Sequence, residues 1–434
     1  MGLAAAVVAD APRVLVGSLR AHTLDSALSV LICDILAYLA QKSAAGQTAV
    51  VAADASRAAV AAIDAHMAYP DVAFSGSRLL AHICNKSAAG RMAALDADAP
   101  RAVVFAVRSH ASNADVNIDV TYMGFAALNA IAVDSPVGQQ SVVDAEAPLA
   151  IVEAFRAHVG DARVLKWGFM CLLAMASSPA RNNAIVTVGA PLAILSALRA
   201  HPDNIALLID GFRALNEVLR NCPAGKQSAL AAGAPLLAVA TLRNHKGVGN
   251  LVYGGLLLLQ FIHSEMSAGE LATLAAEASH VVVEALRAHS DSFSVAQLAC
   301  SVLQFFAVAS HQSVVDADAP LAIVEAIRTH ESDSVTAWYG CRALSALRLA
   351  SGDQLTAGAL IAVSAAIRRH IDDSNVVING CTALTSIGWD DEPTAALLES
   401  ARLRHSSNTE VLDEIAAALD ARISHPDSKR ARGD

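Results

Sequence analysis

Histidine recurs along the chain at a regular spacing, and such a series could in principle bind metal ions or transfer protons. Ten of the 15 histidines each close a similar apolar segment, and most steps between them are 40 to 48 residues. These marker histidines are His22, His66, His110, His158, His201, His245, His289, His330, His370 and His405. Imidazole is a common metal ligand, but packed helices lie ~10 Å apart, so one metal cannot join two such residues. We therefore interpret the marker histidine as a structural residue that meets free carbonyl groups at a helix end.

Cysteine is the second residue type that could carry chemistry. The chain has seven cysteines, an odd number, and no CxxC pair. Four of them stand eleven residues after a marker histidine: Cys33, Cys300, Cys341 and Cys381. Phe169 and Leu256 occupy the same slot in other repeats, which indicates a slot in the hydrophobic core. We predict buried thiols in a reducing compartment, with no metal site and no redox centre.

Motifs of known enzymes are missing from the sequence. It contains no phosphate-binding glycine loop, no GxSxG and no HExxH. Asp390, Asp391 and Glu392 form an acidic cluster after Trp389, but they stand directly before Pro393, where a loop and a helix start are expected. The sequence therefore predicts a protein without catalytic activity and without a cofactor.

Internal repetition explains these spacings. Residues 313–326, "SVVDADAPLAIVEA", match residues 141–154, "SVVDAEAPLAIVEA", at thirteen of fourteen positions. Diverged copies of the same segment end at every marker histidine, so the chain consists of about ten modules. We predict a single array over residues 1–424, followed by a polar tail over residues 425–434.

Each module shows a helical pattern with two fixed marks. A proline suits the first turn of the second helix, where its missing N–H costs nothing; it stands at Pro12, Pro100, Pro148, Pro191, Pro235 and Pro320. The residue two positions earlier is Gly or an acid, which favours a turn followed by a helix start. A glycine ten residues after the histidine indicates that a neighbouring helix crosses closely; it stands at Gly76, Gly168, Gly211, Gly255, Gly340 and Gly380. Three helices per module, without a strand pattern, predict an all-α protein.

Charge and hydropathy exclude several classes of partner. The net charge of −10 argues against nucleic acid or an anionic membrane as the main partner. No apolar run is long enough to span a membrane, and the first residues lack the pattern of a signal peptide. We expect a cytoplasmic protein, although Lys429, Arg430 and Arg432 in the polar tail could form a short nuclear signal.

At the level of a whole module, the sequence resembles the armadillo repeat. Residues 189–219, "GAPLAILSALRAHPDNIALLIDGFRALNEVL", follow that repeat's rhythm of a glycine, a proline-led helix and an alanine- and leucine-rich helix. The resemblance covers essentially the whole chain. It implies a right-handed α-solenoid of about ten three-helix modules, in which the third helices line a concave groove that binds partner proteins.

One property of peptide-binding armadillo proteins is not matched. In those members an asparagine of the third helix holds the peptide backbone, and a tryptophan one turn earlier packs on its side chains. The asparagine slots here hold Tyr38, His82, Ala130, Ala174, Glu217, Phe261, Phe305, Ala346 and Ser386. None of the nine is Asn, so the resemblance does not extend to the clamping of an extended peptide.

Large apolar side chains stand instead at several groove slots, and we predict them as the binding site. They are Trp167, Met170, Leu257, Phe261, Leu298 and Phe305. Asp210, Arg213 and Glu217 interrupt this series. A groove of this kind suits an amphipathic partner helix. The alternative is that curvature buries these side chains against the next third helix.

The functional expectation is a non-enzymatic scaffold or adaptor for protein–protein interaction, with no nucleic acid partner. The alternative is a regulatory subunit or transport receptor that recognises a defined peptide. The missing asparagine series disfavours that alternative.

Overall fold

The computed structural model describes residues 10–110, 118–348 and 354–424, and in these ranges it is built from α-helices, with a short 3₁₀ helix at His263–Glu265 and no strand. The all-α prediction is therefore confirmed. The chain divides into two compact units, Met1–Ala232 and Gly233–Asp434. The polar tail lies outside the described residues.

The first unit contains fifteen helices in its described part. They are α1 (Ala11–Ala21), α2 (Ser26–Lys42), α3 (Ala44–Ala52), α4 (Ala55–Ala65), α5 (Pro70–Cys84), α6 (Ala88–Asp96), α7 (Ala99–His110), α8 (Ile118–Ala132), α9 (Pro136–Asp144), α10 (Ala147–Ala157), α11 (Ala162–Met175), α12 (Pro179–Thr187), α13 (Ala190–Ala200), α14 (Ile205–Leu219) and α15 (Pro223–Ala231).

The second unit contains eleven α-helices in its described part. They are α16 (Ala234–Asn244), α17 (Gly249–Ile262), α18 (Ala268–Ala288), α19 (Phe293–Ala309), α20 (His311–Asp316), α21 (Ala319–Thr329), α22 (Ser334–Leu347), α23 (Gln354–Arg369), α24 (Ser374–Ile387), α25 (Glu392–Arg404) and α26 (Thr409–Ser424).

Among the described helices, none is by itself long and apolar enough to cross a bilayer; α12 and α13 reach that length and composition only as a pair, across a 68° bend.

Within the described residues, most modules have the predicted three helices, and the last, seventh and ninth modules depart from the pattern. In the modules that end at α19 and α24, the first and second helices are continuous as α18 and α23. Ser279 and Leu360 stand there in the proline slot. The final module consists of α25 and α26 alone.

The turn before the second helix differs from the expected helix start. Asp10, Asp54, Glu146 and Asp318 have φ between 57° and 63°, in the left-handed region, and none of these side chains caps its helix. Gly189 occupies the same slot with φ 85°. The acid is therefore accommodated at this turn in a conformation that glycine adopts more readily, and its carboxylate is free to face another module.

An arginine of the preceding module meets this turn. Two residues before the marker histidine, Arg108 donates to the carboxylate of Glu146 over 2.9 Å, and Arg287 donates to Asp318 over 2.5 Å. Where the turn residue is glycine, the arginine reaches a backbone carbonyl instead, as Arg199 does at Ala232 over 2.5 Å. Each of these contacts is largely exposed and contributes little alone, but the same joint recurs between successive modules.

The marker histidine forms the other half of this joint. In four modules its Nε2 lies within hydrogen-bonding distance of the carbonyl oxygen that follows the previous marker histidine, whereas within the described residues the buried Nε2 atoms of His66, His158 and His330 have no hydrogen-bond partner. The pairs are His201 with Val159 (2.8 Å), His289 with Lys246 (2.9 Å), His370 with Glu331 (2.9 Å) and His405 with Ile371 (2.7 Å). The structural role predicted for this histidine is confirmed, but its acceptor belongs to the neighbouring module and not to its own helix.

Two glycine slots permit close packing. A Cβ at Gly340 would lie 2.5 Å from Cγ1 of Ile327, on the second helix of the same module, as the close-crossing prediction requires. The other slot, near the start of the first helix, was not predicted. A Cβ at Gly90 would meet the main-chain carbonyl of Ile83 and lie 2.7 Å from its carbon. A backbone group cannot rotate away, so this second slot is the more restrictive.

Candidate protein-binding surface

In each unit the third helices pack one against the next and form a continuous face. In the first unit this third-helix face consists of α2, α5, α8, α11 and α14, and in the second unit of α17, α19, α22, α24 and α26. Side chains at equivalent slots of successive helices are therefore neighbours across the face. This arrangement positions every one of the predicted groove residues.

The two predicted groove residues of the first unit lie on α11. Trp167 and Met170 are both half-buried, so each keeps an accessible edge. The neighbouring helix α14 carries charges, with Asp210 and Arg213 4.0 Å apart. Arg220 pairs with Glu217 over 3.1 Å at the end of the same helix. The predicted interruption of the apolar series by charge is present in the structure.

The first unit also carries a row of aromatic and arginine side chains on α5, α8 and α11. The rings of Phe74 and Tyr122 meet edge to face, with centroids 6.3 Å apart at 71°. The guanidinium of Arg78 lies 5.6 Å from the centre of the Phe74 ring, and that of Arg163 lies 4.9 Å from the centre of the Tyr122 ring. We refer to Phe74, Arg78, Tyr122 and Arg163 as the arginine–aromatic row.

Carboxylates on adjacent helices hold both arginines of this row in place. Arg78 pairs with Asp34 of α2 over 2.5 Å, and Arg163 pairs with Asp119 of α8 over 3.0 Å. Such pairs bridge successive third helices and leave the rings as the accessible apolar surface. The Arg163 side chain remains 56% exposed, so part of its guanidinium can still donate to a partner.

The arginines of the row help to lower the pKa values of two neighbouring groups, Asp161 and His82. Burial acts to raise the pKa of Asp161, but hydrogen bonds from the Arg163 side chain and from the backbone N–H groups of Val164 and Arg163 outweigh it, so the pKa is lowered. Burial and the nearby Arg78 charge both lower the pKa of His82. At neutral pH this part of the face therefore presents an ionised carboxylate and a neutral imidazole.

The four predicted groove residues of the second unit lie at different depths. Leu257 and Phe261 on α17 are half-buried, whereas Leu298 and Phe305 on α19 are only 8% and 6% exposed. His263 stacks on the Phe305 ring at a centroid distance of 4.3 Å. A partner could reach Phe305 only by displacing His263. Leu298 and Phe305 therefore follow the alternative prediction, in which the groove side chains are buried within the protein.

Sequence reasoning missed Phe74 and Tyr122. They stand one residue before the slots that were counted, eight residues after the marker histidine when the four-residue insertion before α8 is allowed for. Tyr253 and Trp338 occupy the same slot in the second unit. Recurrence of aromatic residues at this slot was the signal that could have identified the row.

The cysteines take no part in this face. All seven are buried and free, as predicted for the slot shared by Cys33, Cys300, Cys341 and Cys381. Burial raises the pKa of the Cys300 and Cys341 thiols to about 12, so both are protonated and unreactive at neutral pH. Within the described residues, no group of three or more His, Cys, Asp or Glu side chains is placed to hold a metal ion.

Comparison with known proteins defines the fold as an armadillo-like helical repeat. No family model matches the sequence, and no curated protein is significantly similar to it. The structure is similar to a crystal structure of an engineered protein, with a TM-score of 0.75 at 20% identity over 95% of this chain and 99% of the other. It is also similar to a chain from a study of the interaction between cadherin and beta-catenin, with a TM-score of 0.67 at 14% identity over 91% and 81% of the two chains. A designed armadillo repeat protein in complex with a (KR)4 peptide matches 58% of this chain and 99% of its own, at 16% identity and a TM-score of 0.49.

Proposed function

We propose that this protein is a non-enzymatic scaffold that binds a segment of a partner protein on the third-helix face of its first unit. The arginine–aromatic row is the observation that carries the proposal. Tyr, Trp, Met and Arg are the side chains enriched at protein interfaces and at their energetic hot spots. The row, together with Trp167 and Met170, brings all four types to one face over three successive helices.

The chemistry of the face suits an amphipathic helix. The rings of Phe74, Tyr122 and Trp167 offer apolar contacts, and Arg163 retains donors for one acidic side chain of the partner. An extended peptide would need side-chain amides to pair with its backbone, and the corresponding slots of α8 and α11 hold Ala130 and Ala174. A helical partner satisfies its own backbone hydrogen bonds and requires none from the face.

The second unit supports this role less well. Its predicted anchors are unequal, because Leu298 and Phe305 are buried and only Leu257 and Phe261 keep an accessible edge. We therefore assign the principal contact to the first unit. One structural neighbour comes from a study of the interaction between cadherin and beta-catenin, and a protein partner for this chain is consistent with that likeness.

A display library of helical peptides tests the proposal on the full-length chain. Peptides selected on the wild-type protein are expected to share apolar residues three and four positions apart and at least one acid. The double variant Tyr122→Ala, Trp167→Ala should bind them at least ~tenfold more weakly, since losing one hot-spot side chain costs ~2 kcal/mol or more.

Phe105→Ala is the matched control, because Phe105 is 47% exposed on the second helix α7, away from the row. Circular dichroism of all variants establishes that they are folded. Selected peptides that bind the double variant and the wild type equally well would place the binding site elsewhere and refute the assignment.

A further inference from the structure

Helix α2 carries an exposed apolar stripe on one side. Leu31 is 56% exposed, Ile35 38% and Tyr38 53%. With Leu28 before them and Lys42 after them, these residues follow one another in alternating steps of three and four. This is the spacing of the contact seam in a two-stranded coiled coil. We refer to Leu28, Leu31, Ile35, Tyr38 and Lys42 as the α2 seam.

The centre of this stripe is closed in other third helices, whereas the Leu31 and Tyr38 slots, which Trp167 and Phe261 occupy in α11 and α17, stay partly accessible there. The residue at the Ile35 slot is fully buried in eight of them: Leu79, Ala127, Cys171, Ala214, Leu258, Val302, Ala343 and Ala383. In α5, for example, Leu79 is buried, and α5 packs between the preceding third helix, α2, and the following one, α8. In α2 the Ile35 slot remains 38% exposed, and no third helix precedes α2 in the described part of the chain.

We propose that the α2 seam pairs with the α2 seam of a second copy of this chain, with the two helices antiparallel about a two-fold axis. Leu31 then lies opposite the partner's Ile35, and Leu28 opposite the partner's Tyr38. An interface of this type is self-complementary, as the symmetry of a two-fold dimer requires. It uses residues of α2, whereas the arginine–aromatic row lies on α5, α8 and α11.

Charge selects the direction of pairing. Asp25 caps the start of α2, where it accepts a hydrogen bond from the Leu28 N–H, and Lys42 is the last residue of the helix. Antiparallel helices bring Lys42 beside the partner's Asp25 at both ends of the seam. Parallel helices would instead set two lysines together and two aspartates together, which is unfavourable.

The remaining charge near the seam is already neutralised. Asp34 lies one residue from Ile35, but it pairs with Arg78 of α5 within the same chain. The ammonium nitrogen of Lys42 lies 5.2 Å from the centre of the Tyr38 ring, and the Lys42 side chain is exposed. Pairing of two seams therefore buries no unpaired acid at its centre.

Sedimentation velocity over a concentration series tests the pairing with the full chain. The wild type should show a reversible monomer–dimer equilibrium. Ile35→Glu places two carboxylates in the middle of the seam and should raise the dimer Kd at least ~tenfold. Val14→Glu is the matched control, because Val14 is 65% exposed on α1 and lies outside the seam; its dimer Kd should equal that of the wild type.

Disulfide trapping determines the direction. An equimolar mixture of Leu31→Cys and Ile35→Cys chains should give a covalent dimer under mild oxidation, whereas either variant alone should give little. Equal or greater crosslinking of each variant with itself would contradict the antiparallel arrangement. The seven native cysteines are buried and free, so they do not compete.

Two further outcomes would overturn the proposal. If the wild type is monomeric at every concentration and Ile35→Glu leaves the Tm unchanged, the seam has no occupant. If the wild type is monomeric and Ile35→Glu lowers the Tm by several degrees, a segment of the same chain covers the seam.

Discussion

The imidazole of His201 lies 2.8 Å from the carbonyl oxygen of Val159, the residue that follows the marker histidine of the preceding module. The marker histidine of one module thereby satisfies a backbone acceptor of the preceding module. His201→Ala should replace this contact by water at an exposed carbonyl and lower the free energy of unfolding by ~0.5–1 kcal/mol. Urea unfolding monitored by circular dichroism measures this. His22→Ala, at an exposed marker position, should change the midpoint much less; equal losses would show that the bond to Val159 contributes nothing.

Buried histidines should make the first unit sensitive to mild acid. Burial lowers the pKa of both His110 and His158. Below the unfolded value of 6.5, the unfolded chain binds protons that the folded chain does not, so stability decreases as the pH falls from 7 through the lowered folded pKa values. Thermal melts at pH 7.5 and 5.5 should show a lower Tm at pH 5.5. His158→Gln should reduce that difference, and an unchanged difference would contradict the assignment to this residue.

Two glycine substitutions should change the free energy of unfolding in opposite directions. Gly90→Ala forces a Cβ against the main chain of Ile83 and should destabilise by ~1–3 kcal/mol or more. Gly17 lies inside α1, and among the described residues a methyl group added there would meet nothing within 4 Å outside the backbone of its own helix. Gly17→Ala should therefore stabilise by up to ~1 kcal/mol through helix propensity. Tm values of the two variants on the same side of the wild type would refute this explanation.

Phe305 should behave as a core residue. The Phe305 side chain is 6% exposed and stacks against the His263 ring. Phe305→Ala should therefore lower the free energy of unfolding by ~3–5 kcal/mol. Val308→Ala, at a 72% exposed position of the same helix, should be nearly neutral. Calorimetric melts compare the two. A Phe305→Ala protein with the wild-type Tm would mean that this ring is not part of the core.

The periodic features of this fold could be predicted from the sequence because each reflects a local rule. Proline marks the start of the second helix at Pro191 and Pro235, and glycine marks close helix packing at Gly340. The joints between modules could not be predicted, since Arg108 and Glu146 are 38 residues apart and nothing in the local pattern links them. Local reasoning also assigned the acid to a helix start, whereas its left-handed φ directs it to the neighbouring module.

The candidate site was harder to predict than the fold. Burial of Phe305 depends on His263, which belongs to a different helical segment, so spacing along α19 could not reveal it. The arginine–aromatic row was missed because Phe74 and Tyr122 stand one residue from the slots inherited from the armadillo pattern. Its geometry also depends on pairing between neighbouring helices, as between Arg78 and Asp34.

The joint between modules has a consequence for how such a chain can grow. Several second helices end with an arginine or a histidine that reaches a neighbouring module, and those neighbours present the turn or the carbonyl that receives it. A duplicated segment therefore carries both the side chains that donate these hydrogen bonds and the groups that accept them. It can pack beside the original segment without further substitution. The near-identity of residues 141–154 and 313–326 is the trace that duplication of such a self-fitting segment would leave in the gene.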